Sequence, residues 1–266
     1  MNPEPRTILI TGAGTGIGRD AALALAARGH RVLATTLDDA QAEALQREAQ
    51  SRGLPLQAFR LDITSPDDRA KVLDHEVDVL VNNAAIGESG SLAEVPMDRV
   101  RRSFEVNLFA TLELTQLALR GMIARQRGTV LFVSSIAGRL PIPFLAPYGM
   151  TKFALSAAGA ALRAEMDRLG SKVQVALIEP GAIHTGFNQA MTGAKFGWMA
   201  QGSYFQPMAQ ALAAEDRRGF KFLEARSTAG IVRCIVRAAE ARRPRLRYVS
   251  PWIQGLGVRL ARMFGV

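Results

Sequence analysis

Cysteine is almost missing from this chain: one residue, Cys234, in 266. That rules out an intramolecular disulfide and a cysteine-built metal site, and it fits a reducing compartment, so the expected location is cytoplasmic. Histidine is nearly as rare, and residues 30, 75 and 184 fall in separate segments without metal-ligand spacing. No metal is expected. No uncharged apolar run approaches the roughly 18 residues that a spanning helix needs, which argues against a transmembrane segment. The opening MNPEPRTILITGAG lacks the apolar stretch and small-residue cleavage site of a secretory signal, so none is expected. Linkers, low-complexity tracts and internal repeats are also absent, and residues 1–266 read as a single domain. Tyrosine (three) and lysine (five, against twenty-eight arginines) are scarce enough that each position counts.

What is present belongs to an ordinary globular protein, with 48% hydrophobic and 21% charged residues. The formal charge of +9 raises the question of nucleic acid. The arginines are scattered, however, and the only dense cluster is ARRPRLR at 241–247. A basic balance of this kind serves solubility and steering, so no nucleic-acid partner is expected. A phosphate-bearing cofactor is another use for it.

Short β-branched runs alternate with helical patterns. Residues 6–11, 31–36, 56–62, 77–83, 129–135, 172–180 and 246–250 read as strands, several of them continuously apolar as strands buried on both faces are. Helices are expected over 17–28, 39–52, 66–74, 97–126, 148–169 and 227–241. This alternation implies right-handed crossovers and an α/β fold: a doubly wound, Rossmann-type parallel sheet of about seven strands with helices on both faces. In such a sheet ligands bind beyond the carboxyl ends of the strands.

TGAGTGIG, residues 11–18, follows the first strand and opens the first helix. Gly12, Gly16 and Gly18 allow a sharp turn and bring a pyrophosphate close to a helix N-terminus. The string departs from G-x-G-x-x-G, because Ile17 stands where the second spacing would want glycine, and it lacks the G-K-[ST] of a nucleoside-triphosphate loop. The second strand ends in Thr35-Thr36-Leu37, followed by Asp38. An acid here suits the ribose of NAD, yet Asp38 is equally well placed to cap the helix after it. NAD and NADP both stay open.

The fifth strand ends in Ser134-Ser135; Tyr148 and Lys152 follow, four apart and on one helical face. Asn107 sits inside the helix 97–126. TGAGTGIG, NNAA, FEVNLF, VSSIAG, YGMTK and EPGAIHT occur together and in order, and the chain so resembles the single-domain branch of the short-chain dehydrogenase/reductase family over about residues 6–250. The resemblance implies an NAD(P)-dependent oxidoreductase that interconverts a secondary alcohol and a ketone. It implies a tetrad of Asn107, Ser135, Tyr148 and Lys152. Tyr148 would be the acid or base, Lys152 would lower its pKa and hold the nicotinamide ribose, Ser135 would polarise the carbonyl, and Asn107 would bend its helix and support a relay water. Ser134 is expected to be structural. The implied cofactor contacts are Gly12, Thr15, Gly16, Ile17, Gly18, Asp38, Asp62, Ile63, Asn83, Ala84, Tyr148, Lys152, Pro180, Gly181, Ile183 and Thr185. Ala85 departs from the family, which usually has glycine there. A sensor that keeps the fold and loses the chemistry is the rival from another class, and the intact tetrad speaks against it. No G-x-S-x-G elbow supports a serine hydrolase. A nucleotide-sugar epimerase would need a longer chain and another glycine spacing.

On the substrate side, RLPIPFLAP (139–147) is apolar with three prolines. Residues 186–224 form an insertion expected to act as a lid. It carries Phe187, Met191, Phe196, Trp198, Met199, Tyr204, Phe205 and Met208, which suggests either a hydrophobic alcohol or ketone (steroid-, retinoid-, aryl- or acyl-like) or plain packing of the lid. Ala154, Ala157, Ala158, Gly159, Ala160 and Ala161 let a neighbouring backbone approach, and the resemblance favours a homodimer or homotetramer. The tail 251–266 could cap the lid, complete an oligomer contact, or lie on a membrane surface; with only Arg259 and Arg262 on a short segment, the first two are the expectation.

Overall fold

A computed structural model describes residues 4–199 and 202–264 of the chain. The side chains of Phe196 and Trp198, two of the expected lid aromatics, lie outside the described residues. Among the described residues seven strands form one wholly parallel sheet in the order β3-β2-β1-β4-β5-β6-β7. They are β1 (Thr7–Ile10), β2 (Arg31–Thr36), β3 (Leu56–Arg60), β4 (Val79–Asn82), β5 (Thr129–Val133), β6 (Gln174–Pro180) and β7 (Arg247–Ser250). Each falls inside the run that its sequence pattern marks.

Continuous apolar strands serve two cores at once, because successive side chains point to opposite faces. Ile8, Ile10, Val79, Val81, Leu131, Val133, Ala176 and Ile178 share one core with α1 (Gly16–Ala26) and α9 (Ala229–Glu240). The alternate residues Leu9, Leu80, Val130, Phe132, Val175 and Leu177 share the other with α5 (Thr111–Ala124) and α6 (Ala146–Arg168). Gly159 is needed where α6 crosses the sheet: a Cβ there would lie 2.8 Å from Leu177 and 3.0 Å from Phe132.

Local chemistry sets two of the helix starts. Asp38 caps α2 (Asp39–Ser51) by accepting from Gln41 N at 2.8 Å. Ser65 caps α3 (Pro66–Ala70), with proline at its first position, and the expected helix 66–74 ends as a 3₁₀ turn at Lys71–Asp74. The expected helix 97–126 is divided: α4 (Met97–Phe104) and α5 are joined by a π-helical turn at Glu105–Ala110 that contains Asn107. Such turns free backbone groups from the ordinary ladder and concentrate at functional sites.

Between β6 and α9 the chain makes an insertion of two helices, α7 (Phe187–Trp198) and α8 (Ala209–Leu223). Its two ends are tied at the root, where His184 N donates to Ala225 O and Ala225 N donates to Ala182 O, both at 2.9 Å. The tail forms α10 (Trp252–Met263). Gln254 fastens it by accepting from Ala182 N at 2.9 Å and donating to Leu223 O at 2.6 Å, so one side chain joins the tail to both ends of the insertion.

Candidate active site at the carboxyl ends of the strands

The strand order reverses direction at β1, whose neighbours β2 and β4 lead away on opposite sides. The crevice beyond that switch point is where a doubly wound sheet takes ligands. A cavity of about 1330 Å³ opens there. Every expected site residue except Asp38 and Asn107 lines it.

At the β1 exit the glycine turn is built by backbone geometry. Gly12 and Gly16 have φ of +64° and +56°, the region that disfavours residues with a Cβ. A Cβ on Gly18 would stand 2.4 Å from the Gly12 carbonyl oxygen. Thr15 precedes α1 without capping it through its side chain, and Gly16, Ile17 and Gly18 of the first turn line the cavity. The turn is clamped from β4. Asn83 Nδ2 donates to Thr11 O at 2.9 Å and to Gly12 O at 3.0 Å, while Thr11 Oγ1 accepts from Asn83 N and Ala84 N, both at 3.0 Å. Asn83 therefore shapes the turn as well as lining the cavity. Thr185 lies against it from β6: a Cβ on Gly16 would meet the Thr185 Cβ at 3.4 Å.

Asp38 caps α2. Its carboxylate holds Gln41 N, its carbonyl accepts from Thr36 Oγ1 at 2.7 Å, and the cavity wall beside it is made by Leu37 and Gln41. At the β3 exit Asp62 Oδ1 accepts from Thr64 N and Thr64 Oγ1, and Asp62 N donates to the buried Asp68 at 2.8 Å. Burial alone would raise the Asp68 carboxyl, but Lys71, the Asp62 N–H and Arg60 together hold it below the usual range. Sequence reasoning missed Asp68, which fixes the Asp62 loop; the only sequence signal was its place three residues after the Ser65 cap.

The four tetrad candidates come together around the N-terminal turn of α6. Asn107 is buried, and its amide pairs with the backbone of Ile86 in both directions: Oδ1 accepts from Ile86 N at 2.8 Å and Nδ2 donates to Ile86 O at 2.9 Å. Nδ2 also donates to Thr151 Oγ1, which donates in turn to Tyr148 O at 2.7 Å. Thr151 is the second residue that the sequence reading passed over, although it lies within YGMTK. The chain Ile86–Asn107–Thr151–Tyr148 ties the β4 exit to the tyrosine. Asn107→Ala strands the Ile86 N–H and carbonyl in a buried setting, and chemical denaturation should show a loss of about 2–4 kcal/mol. An unchanged unfolding midpoint would contradict that role.

Ser135 leaves β5 with extended backbone and caps the short turn Ile136–Gly138, accepting from Ala137 N at 3.1 Å. Ser134 points the other way, to Lys152 O at 3.1 Å and Ser156 Oγ at 2.7 Å, and is structural. Lys152 is 2% exposed, and its ammonium donates to Val133 O at 2.9 Å. It stands 5.6 Å from the centre of the Tyr148 ring. Tyr148 itself packs in a small apolar cluster with Ala137, Met191, Leu145 and Phe187.

The electrostatics differ from the expectation. Within the protein, burial pushes the Tyr148 phenol up, and the Ser135 hydroxyl offsets this only partly. Burial also pulls the Lys152 ammonium down to about 8. The ammonium meets the ring and a carbonyl, and desolvation outweighs any lowering of the phenol by Lys152. The site as built holds a neutral phenol beside a half-titrated amine near pH 8.

The insertion and tail close the far side of the cavity with Phe187, Met191, Lys195 and Leu223, and with Gln254 and Val258. Phe144, at φ +60°, packs edge-on against Phe205 with ring centres 5.0 Å apart. His184 pairs with Glu224 at 2.8 Å near the root of the insertion and lies outside the cavity lining.

Comparison with known proteins gives the same picture. The family model described as short chain dehydrogenase matches residues 6–195. The mouse protein named dehydrogenase/reductase SDR family member 7B is 34% identical over 203 residues, which are 71% of this chain and 62% of that protein's length. Rat estradiol 17-beta-dehydrogenase 1 is 32% identical over 259 residues, covering 93% of this chain and 74% of that one. A solved short chain dehydrogenase/reductase from Burkholderia phymatum, in complex with NAD, superimposes with a TM-score of 0.83 over 99% of this chain and 95% of its own; at 20% identity it speaks for the fold.

Proposed function

Because this chain belongs to the short chain dehydrogenase family, we propose that it is an NAD(P)-dependent oxidoreductase interconverting a hydrophobic secondary alcohol and its ketone. The observation that carries the reading is the convergence of Ser135, Tyr148 and Lys152 on one wall of a cavity whose other end is the glycine turn. That cavity exceeds the roughly 300–1,000 Å³ of an ordinary small-ligand site, which leaves room for two ligands side by side.

The turn suits a dinucleotide. Gly12 and Gly18 let the turn fold tightly against Ala84 and Asn83, where a Cβ would clash, and the α1 N-terminus, without a side-chain cap, would offer N–H donors to a pyrophosphate. Gly16, Ile17, Thr15, Asn83 and Ala84 would line its path. Asp62 and Ile63 would flank the adenine, while Pro180, Gly181, Ile183 and Thr185 would meet the nicotinamide end. A bound nicotinamide supplies or accepts the hydride.

The protein's own groups handle the proton. Burial keeps Tyr148 protonated, so its hydroxyl is ready to donate to a carbonyl oxygen held by Ser135. Donation leaves a phenolate, and Lys152, when charged, stabilises it. Asn107 and Thr151 hold the Tyr148 backbone in register. Apolar walls at Ile142, Phe144, Leu145, Phe187, Met191 and Val258 favour a bulky hydrophobic substrate of steroid or retinoid size. The insertion 186–224 would act as the lid. Among the described residues no helix is long and apolar enough to cross a membrane. We place the protein in the cytoplasm, as a dimer or tetramer formed on the outward small residues Ala157 and Ala161 of α6.

The test is turnover with NAD and NADP on a panel of hydrophobic alcohols and ketones. Binding of either dinucleotide without turnover of any member would sink the enzyme reading. A pH profile tests the lysine. Lys152 is held near 8, below its ordinary value, so the ammonium is lost as pH rises through that value. The kcat/KM for ketone reduction, which reports the free enzyme, should fall about tenfold per pH unit above ~8. Lys152→Arg, charged throughout, should move that fall upward by more than one unit even if its rate is low. An identical profile in the arginine variant would remove Lys152 from the proton chemistry.

A further inference from the structure

The tail helix α10 is apolar on its solvent side. Its body side carries Gln254, Gly255 and Val258, which seat it on the sheet edge and the insertion. The opposite side presents Trp252, Ile253, Leu256, Leu260, Met263 and Phe264 to solvent, with Trp252 73%, Met263 77% and Phe264 80% exposed. At 3.6 residues per turn these six fall on one continuous arc of about 120°. Isolated exposed apolar residues need no explanation, but a contiguous stripe on one helix marks an interaction surface.

Charge identifies the occupant. Arg259 borders the arc at about 20° from its edge, and Arg262 stands about 80° beyond that edge; both are exposed. From residue 241 to 266 the chain has six arginines and no acidic residue. A helix with large apolar side chains on one face, an arginine at the border and a second on the flank, in a stretch without acids, has the pattern that lies in a lipid interface, with long cationic side chains reaching the headgroup phosphates. A second copy fits less well, since pairing two such helices would bring uncompensated arginines together.

We infer that α10 docks the protein onto an anionic lipid surface. Gln254, Gly257 and Val258 of the same helix line the large cavity, so the docked helix is also one of its walls. Resting on the dehydrogenase reading, this brings the site within about one helix diameter of the lipid, roughly 10 Å, beside a phase that dissolves a hydrophobic alcohol or ketone.

Sedimentation with vesicles tests the docking without any appeal to activity. The full chain should pellet with vesicles of equal parts phosphatidylcholine and phosphatidylglycerol, and at least about tenfold less with phosphatidylcholine alone. Leu256→Ser/Leu260→Ser, at two exposed positions outside the cavity lining, should lower partition into the anionic vesicles by about tenfold or more. Arg259→Glu/Arg262→Glu should abolish the preference for anionic lipid. Both variants should unfold at the wild-type midpoint. Wild-type protein left in the supernatant with anionic vesicles overturns the proposal. So does a concentration-dependent dimer in light scattering that the leucine variant converts to monomer, for then the face is covered by a second copy. Loss of turnover in Tyr148→Phe has no bearing on either result, which keeps the two readings separable.

Discussion

Tyr148→Phe should lower kcat by about 10³-fold while leaving the dissociation constant for the dinucleotide within about twofold of wild type. Phenylalanine keeps the ring, so the packing against Phe187 at 5.7 Å and the approach of Lys152 survive. Only the hydroxyl disappears, and with it the buried phenol that stands beside Ser135 in the cavity wall. A positioned acid typically contributes 10² to 10⁴ in rate, which sets the size of the loss. The glycine turn that would hold the dinucleotide is made by other strand exits, so affinity should not follow. Steady-state kinetics and a binding titration on the same preparation separate the two effects. Wild-type kcat in the variant would take the proton chemistry away from Tyr148.

Gly18→Ala should act in the opposite sense, raising the dinucleotide dissociation constant by at least about 100-fold. The added Cβ would stand 2.4 Å from the Gly12 carbonyl oxygen and 2.4 Å from the Asn83 amide that clamps the turn. Gly12 has no room to retreat: it sits at positive φ, and even a Cβ on its own Cα would fall 2.8 Å from the Ala84 backbone. The turn must open, at a cost of about 1–3 kcal/mol, and the thermal midpoint should drop by several degrees. Gly193→Ala is the control. It lies in helix α7 with nothing within 4 Å of the new methyl, so it should leave binding unchanged and stability equal or slightly higher. Equal affinities for wild type and the Gly18 variant would show that the turn does not carry the cofactor.

The strands were legible because each is a short apolar run with turn residues at its ends, and all seven lie where those runs stand. Most candidate site residues were legible because they stand at strand exits, where this topology gathers ligand-facing groups, whereas Asn107, Tyr148 and Lys152 lie on helical segments and were reached through the motifs of the resemblance. Other features were hidden. Asp38 has two uses in sequence, and only the backbone after β2 gives its carboxylate to Gln41. The insertion 186–224 reads in sequence only as a lid, and its two helices and the Ala182–Ala225 and His184–Ala225 bonds that close its root appear only in the fold. Thr151 stands beside two louder neighbours in YGMTK, and its bond to Asn107 spans 44 positions.

By itself, then, the sequence determined the alternation of elements, the parallel sheet, the glycine turn and which groups are the candidates for handling a proton. These depend on periodicity, on glycine's access to positive φ and on functional-group chemistry, all of which are local. Tertiary structure alone decided the protonation of those groups and the surroundings of the tail. Tyr148 is raised and Lys152 lowered because burial, a property of the packed whole, penalises a charge more than a neighbour within a turn relieves it. The tail's sequence shows that it is apolar, but which of its sides meets the body depends on where Gln254 finds Ala182 and Leu223, and that is settled only when the insertion has closed.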